Sequence, residues 1–102
     1  MTDYVPNYIC ELKINNYSND TIKGYTYYLS YFNDYIKEIT HIKSLEELTK
    51  KHVESFIDYI TNKNFSKSKK QLKQTTIKRI VDTVKEYLKY LCRQEIIDND
   101  YY

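Results

Sequence analysis

The chain has no alanine and, in 102 residues, only one glycine, one proline and two cysteines. So little Gly and Pro removes the usual turn punctuation, and apolar and polar residues alternate nowhere for long. Both features argue against a sheet and for an all-helical chain. No apolar run approaches the roughly 18–20 residues that a membrane span needs. The start, MTDYVPNY, lacks the basic opening and apolar stretch of a secretory signal. Cys10 and Cys92 have no CxxC spacing, and only His41 and His52 could join them, which argues against zinc. The expectation is two reduced, half-buried thiols in a cytoplasmic protein, no metal, no cofactor, and two solvated surface histidines.

Catalytic patterns are missing as well. There is no HExxH, no Gly-rich phosphate loop and no GxSxG. Glu46 and Glu47 are neighbours whose side chains diverge on a helical turn, and Cys92 has no nearby His to activate it. The length suits one domain over residues 1–102, with little room for an enclosed active site. The chain by itself is therefore not expected to be an enzyme.

What is abundant is Lys, Asn, Ile and Tyr, all served by A/T-rich codons. A low-GC genome explains most of the 13 tyrosines without invoking a stacking platform. Apolar residues recur at helical spacing in four segments. The first runs roughly from Asp3 to Ile14, with Val5, Ile9 and Leu12 inward and Pro6 in the first turn, where a missing N–H costs nothing. The second is capped by Ser18, carries Asp20 in its first turn, and turns Ile22, Tyr25, Leu29, Phe32 and Ile36 inward over about 19 residues. Ser44 and Glu47 have capping-box spacing for a short turn, after which Thr49 caps a third helix with Val53, Phe56, Ile57 and Ile60 inward. The fourth runs from about Gln74 to Arg93, with Ile77, Ile80, Val81, Val84, Leu88 and Leu91 inward.

Charge is unevenly placed. The net charge of +2 is mild, yet Asn62 through Arg79 (NKNFSKSKKQLKQTTIKR) holds seven basic residues and no acid, leaving −5 on the rest. This stretch forms the loop before the fourth helix and that helix's first turn. Positive side chains there are unfavourable beside the helix dipole unless an anion docks. Ser66, Ser68, Thr75 and Thr76 add the short hydroxyls that hold phosphate oxygens. Charge alone leaves two readings open, a phosphate-backbone site or a solvated loop.

The order of motifs adds a resemblance. SNDTIKGYTYYLSYF has the form S-x-x-T-x-x-x-Y-x-x-x-L-x-x-F at Ser18, Thr21, Tyr25, Leu29 and Phe32. It resembles the opening signature of the core-binding domain of tyrosine recombinases, the phage-type integrases. LTKKHVESFIDYI looks like that family's next element, and TTIKRIVDTVKEYLKYLCRQEIIDND is similar to its last long helix and exit. The chain departs from the pattern at Glu95, where the family often has Gly, and at Asp100, where Pro follows the final Asn. The family's catalytic Arg, His-x-x-Arg and Tyr set has no counterpart, and Tyr101 and Tyr102 are not read as the nucleophile.

The resemblance implies a four-helix, SAM-like orthogonal bundle that forms half of a C-shaped clamp on double-stranded DNA. The chain would then be a piece of a site-specific recombinase encoded by a bacterium, phage or mobile element. Its partners would be DNA, a catalytic domain and other recombinase protomers, with no membrane, and the isolated domain is expected to be monomeric. Carried onto matching positions, the contacts would be Thr21, Lys23 and Tyr27 on the second helix and Thr75, Thr76, Lys78 and Arg79 on the fourth. Lys67, Lys69, Lys70 and Lys73 join them on the charge argument. The competing reading is a helical protein–protein interaction domain with a solvated basic loop, which would display an exposed apolar patch.

Overall fold

The computed structural model describes residues 4–40, 42–62, 64–65 and 70–97. Helix α1 spans Val5–Ile14, α2 Asn19–Tyr35, α3 Lys50–Asn62 and α4 Gln74–Arg93. Among the described residues the chain adopts the expected four-helix, all-α architecture. The Asp3 start expected for the first helix lies outside the described residues.

Local chemistry accounts for most of the boundaries. Pro6 sits in the first turn of α1, and α1 ends with Asn16 in the left-handed region at φ 63. There Tyr17 N–H donates to Leu12 C=O at 3.0 Å and Asn16 N–H to Lys13 C=O at 3.1 Å, the Schellman pair that satisfies the last carbonyls. Instead of one long α-helix, the second segment gives 17 α-helical residues and then a π-helical turn over Ile36–Thr40. Thr40 Oγ1 donates to Ile36 C=O at 2.6 Å within that turn.

The short turn Leu45–Glu47 carries the capping box expected from Ser44 and Glu47. A second, less familiar box opens α3. Thr49 N–H donates to His52 Nδ1 at 2.9 Å, while His52 N–H reaches Thr49 Oγ1 at 3.4 Å. His52 is thus half-buried and engaged, where a solvated histidine was expected; His41 lies outside the described residues.

The connection before α4 was expected to be a loop. Its base is an antiparallel ladder of two residues on each side, β1 (Asn64–Phe65) and β2 (Lys70–Gln71), with Phe65 opposite Lys70.

The core lies where α2 and α4 pack along each other, with α1 and α3 on their flanks. Leu29, Phe32, Ile36, Phe56, Ile60, Ile80, Leu88 and Leu91 are fully enclosed, and Tyr25, Ile9, Ile57 and Val81 pack at its margin. Tyrosines contribute more than the sequence suggested: Tyr8, Tyr35, Tyr87 and Tyr90 are buried too. Tyr8 carries α1 onto α4 through ring contacts at 5.5 Å with Tyr87 and 5.1 Å with Tyr90. Phe32 and Tyr35 of α2 meet Phe56 of α3 edge-on at 5.1 and 5.5 Å. Arg93 at the end of α4 reaches Glu11 of α1 at 3.1 Å; with Arg93 largely exposed, this pair aligns helices more than it stabilises them.

At its C-terminus α4 repeats the device that ends α1. Glu95 takes φ 60, its N–H donating to Cys92 C=O at 3.0 Å and Ile96 N–H to Leu91 C=O at 2.9 Å. The turn that ends α4 therefore forms with Glu95 at the position where the resembled family often has Gly; Asp100, the other departure, lies outside the described residues. Both cysteines are free; Cys92 is half-buried, while Cys10 is exposed, because α1 turns that side away from the core. No helix among the described residues is long and apolar enough to cross a membrane.

Candidate nucleic-acid interface

The start of α4, like that of α1, has neither a side-chain cap nor an acid in its first turn; what sets it apart is the basic charge around it. Its N-cap is Lys73, in extended backbone, with no side-chain hydrogen bond to the helix and no acid in the first turn. The first intrahelical bond runs from Ile77 N–H to Lys73 C=O at 2.9 Å. The N–H groups of Gln74, Thr75 and Thr76 therefore precede any intrahelical acceptor. Together with roughly half a positive charge from the helix dipole, they make an end that favours an anion. Around it Lys73, Thr75, Lys78 and Arg79 are exposed and Thr76 is half-buried. Among the described residues, Lys73, Lys78 and Arg79 enter no ion pair that would neutralise them.

The start of α2 is the opposite case. Ser18 Oγ accepts from Thr21 N–H at 3.2 Å and donates to Thr21 Oγ1 at 2.8 Å, and Asp20 occupies the first turn. The positive end of that helix is already answered, and the Thr21 hydroxyl belongs to the cap.

Between α2 and α4 opens a cleft of about 680 Å³. Thr21, Gly24 and Tyr28 line it from α2, and Arg79, Asp82 and Glu86 from α4. The two triplets share the spacing i, i+3, i+7, which keeps each on one helix face. Tyr8, Tyr17 and Tyr25 also line the cleft. Burial first, then Tyr17, Glu86 and Asp82, raise the Tyr25 phenol above its ordinary pKa. Burial, Tyr25 and Glu86 do the same to Tyr8. The carboxylates of α4 thus act on the tyrosines of the cleft, while positive charge gathers at the helix start.

Of the expected contact residues, the structure brings Thr21 and Arg79 together at this cleft and groups Lys73, Thr75, Thr76 and Lys78 at the start of α4. Lys23 lies about 160° round α2 from Thr21 and faces away from the cleft. Tyr27, 56 % exposed, shares a hydroxyl–hydroxyl bond of 2.9 Å with Tyr31 on that outer flank. Lys70 lies in β2, three residues before Lys73. Lys67 and Lys69, with Ser66 and Ser68, lie outside the described residues. The sequence reading missed Asp82, Glu86 and the tyrosines of the cleft. Their signal was the matched spacing on two helices, legible only once those helices are known to be adjacent.

A family model described as "Phage integrase, N-terminal SAM-like domain" matches residues 5–95. Tyrosine recombinase XerS from two strains of Streptococcus thermophilus is 40% identical over 57 residues, covering 53% of this chain and 16% of the relative. The match thus spans about a sixth of that relative's length. No solved structure is a significant match.

Proposed function

Because the chain belongs to the phage-integrase N-terminal, SAM-like family of tyrosine recombinases, we propose that residues 1–102 are one core-binding module that closes on duplex DNA as half of a clamp. The observation that carries this reading is the start of α4: uncapped, free of acid, and surrounded by Lys73, Lys78 and Arg79 in a chain that is otherwise acidic. Phosphates of one strand lie across that end, held by backbone N–H groups, Thr75, Thr76 and the lysines. Arg79, one turn further on, reaches a guanine edge through its planar fork. Strand cleavage and exchange belong to a catalytic domain of the same recombinase, and the assembled site involves other protomers; alone, the module is monomeric.

The interaction-domain reading receives less support. Among the described residues the exposed large apolar side chains, Ile14, Tyr17, Tyr27 and Ile39, are spread over α1, the following turn, α2 and the π-helical turn. Side chains scattered in this way are ordinary surface.

Fluorescence anisotropy with a labelled duplex tests the proposal. If about five phosphates are neutralised, log K falls with log salt at a slope near −4 to −5. Lys73→Glu combined with Lys78→Glu should abolish binding while leaving the helical circular dichroism intact. A salt-independent affinity, or one unchanged by the double charge reversal, would refute the proposal.

A further inference from the structure

Beyond the phosphate site, the cleft raises a question of its own. Asp82 and Glu86 place carboxylates on the same stripe of α4 as Arg79, lining the same cleft. On a face that meets phosphates, a carboxylate opposes binding to every sequence alike. Glu86 is partly answered by Lys89 at 3.6 Å; among the described residues Asp82 enters no such pair. Nor does Asp82 serve the helix dipole, since it lies beyond the first turn of α4.

Resting on the DNA-binding reading above, we propose that Asp82 is a specificity-determining residue whose carboxylate accepts a hydrogen bond from a cytosine N4 amino group, one base-pair step from the guanine that Arg79 contacts. Three residues of helix advance about 4.5 Å along the axis. One step of duplex advances about 3.4 Å. Arg79 and Asp82 thus fall on neighbouring pairs when α4 enters the major groove. An ionised carboxylate only accepts, so the major-groove edge must offer a donor, which leaves cytosine N4 and adenine N6. Adenine presents its N7 acceptor beside N6 and repels the second carboxylate oxygen; cytosine has no such neighbour. The order along α4 is then phosphate at the helix start, guanine at Arg79 and cytosine at Asp82, a contact that offsets the general repulsion at matching sequences alone.

The test is selection from a duplex pool randomised over its centre, using the 102-residue chain, Asp82→Ala and Asp82→Asn. Affinity for one fixed, unselected duplex is measured in parallel. The unmodified chain should enrich a cytosine beside a guanine by roughly ten-fold over other bases. Asp82→Ala should flatten that column, and Asp82→Asn should move it to adenine, whose N6 and N7 suit an amide. Both variants should bind the unselected duplex more tightly, because the repulsion is gone. A pool that binds with no cytosine column, or with one that survives Asp82→Ala, overturns the role of Asp82 and leaves DNA binding standing. A folded chain that captures no duplex removes both.

Discussion

Glu95 offers a sharp test of the energetics, because its conformation and its surroundings point in opposite directions. At φ 60 it occupies the left-handed region, where an L-residue with a Cβ costs about 1–2 kcal/mol. It is held there by the paired bonds from its own N–H to Cys92 and from Ile96 N–H to Leu91, which bring Ile97, 4 % exposed, back onto the core. The Glu95 side chain itself is exposed. Glu95→Gly removes the backbone strain but adds about 0.5–1 kcal/mol of chain entropy lost on folding. The net gain should be about 0.5–1 kcal/mol, or roughly 2–8 °C in Tm for a chain of this size. Thermal and urea unfolding followed by circular dichroism would measure it. Glu95→Ala keeps the Cβ and should gain nothing. Equal stabilisation by Ala and Gly, or none by Gly, would refute the backbone argument.

Three other outcomes follow from the same structure. Gly24 lies inside α2, where an added Cβ would meet only Tyr28 Cε2 at 3.8 Å, an ordinary contact; Gly24→Ala should stabilise by about 1 kcal/mol in urea unfolding. His52 completes the box that opens α3, so His52→Ala should cost about 0.5–1 kcal/mol and His52→Gln distinctly less. Burial, chiefly, raises the Tyr8 phenol above the ordinary 10.0. The folded state therefore favours the neutral phenol: its contribution is complete below about pH 10 and is lost as pH rises through the folded value. Urea midpoints should accordingly fall more steeply above pH 10 for the unmodified chain than for Tyr8→Phe.

Local signals made much of this fold legible. The α4 boundaries, Gln74 and Arg93, follow from an unbroken apolar stripe, and Ser44 with Glu47 announced their turn. Tyr8, Tyr35, Tyr87 and Tyr90 were misjudged because a phenol is amphipathic: its ring suits a core and its hydroxyl a surface, and abundance through codon bias hid the choice. Thr83 was overlooked for a related reason. It is buried with its hydroxyl donating to Arg79 C=O at 2.7 Å, which removes the cost of burying it. The π-helical turn leaves no compositional mark. At the candidate interface, the charge of the segment before α4 could be read directly. The facing of Thr21 by Arg79 and Asp82 could not, since it depends on two helices far apart in sequence lying side by side.

The central claim is that the start of α4 meets duplex DNA. The measurement that tests it most directly is an amide-shift titration of the isotope-labelled chain with a short duplex at low salt, repeated at high salt. The account predicts shifts concentrated at Lys73–Arg79 and at the cleft residues Thr21 and Asp82, with the former fading as salt rises. A folded chain whose spectrum stays still at those residues, or shifts only around the π-helical turn and α3, would contradict it.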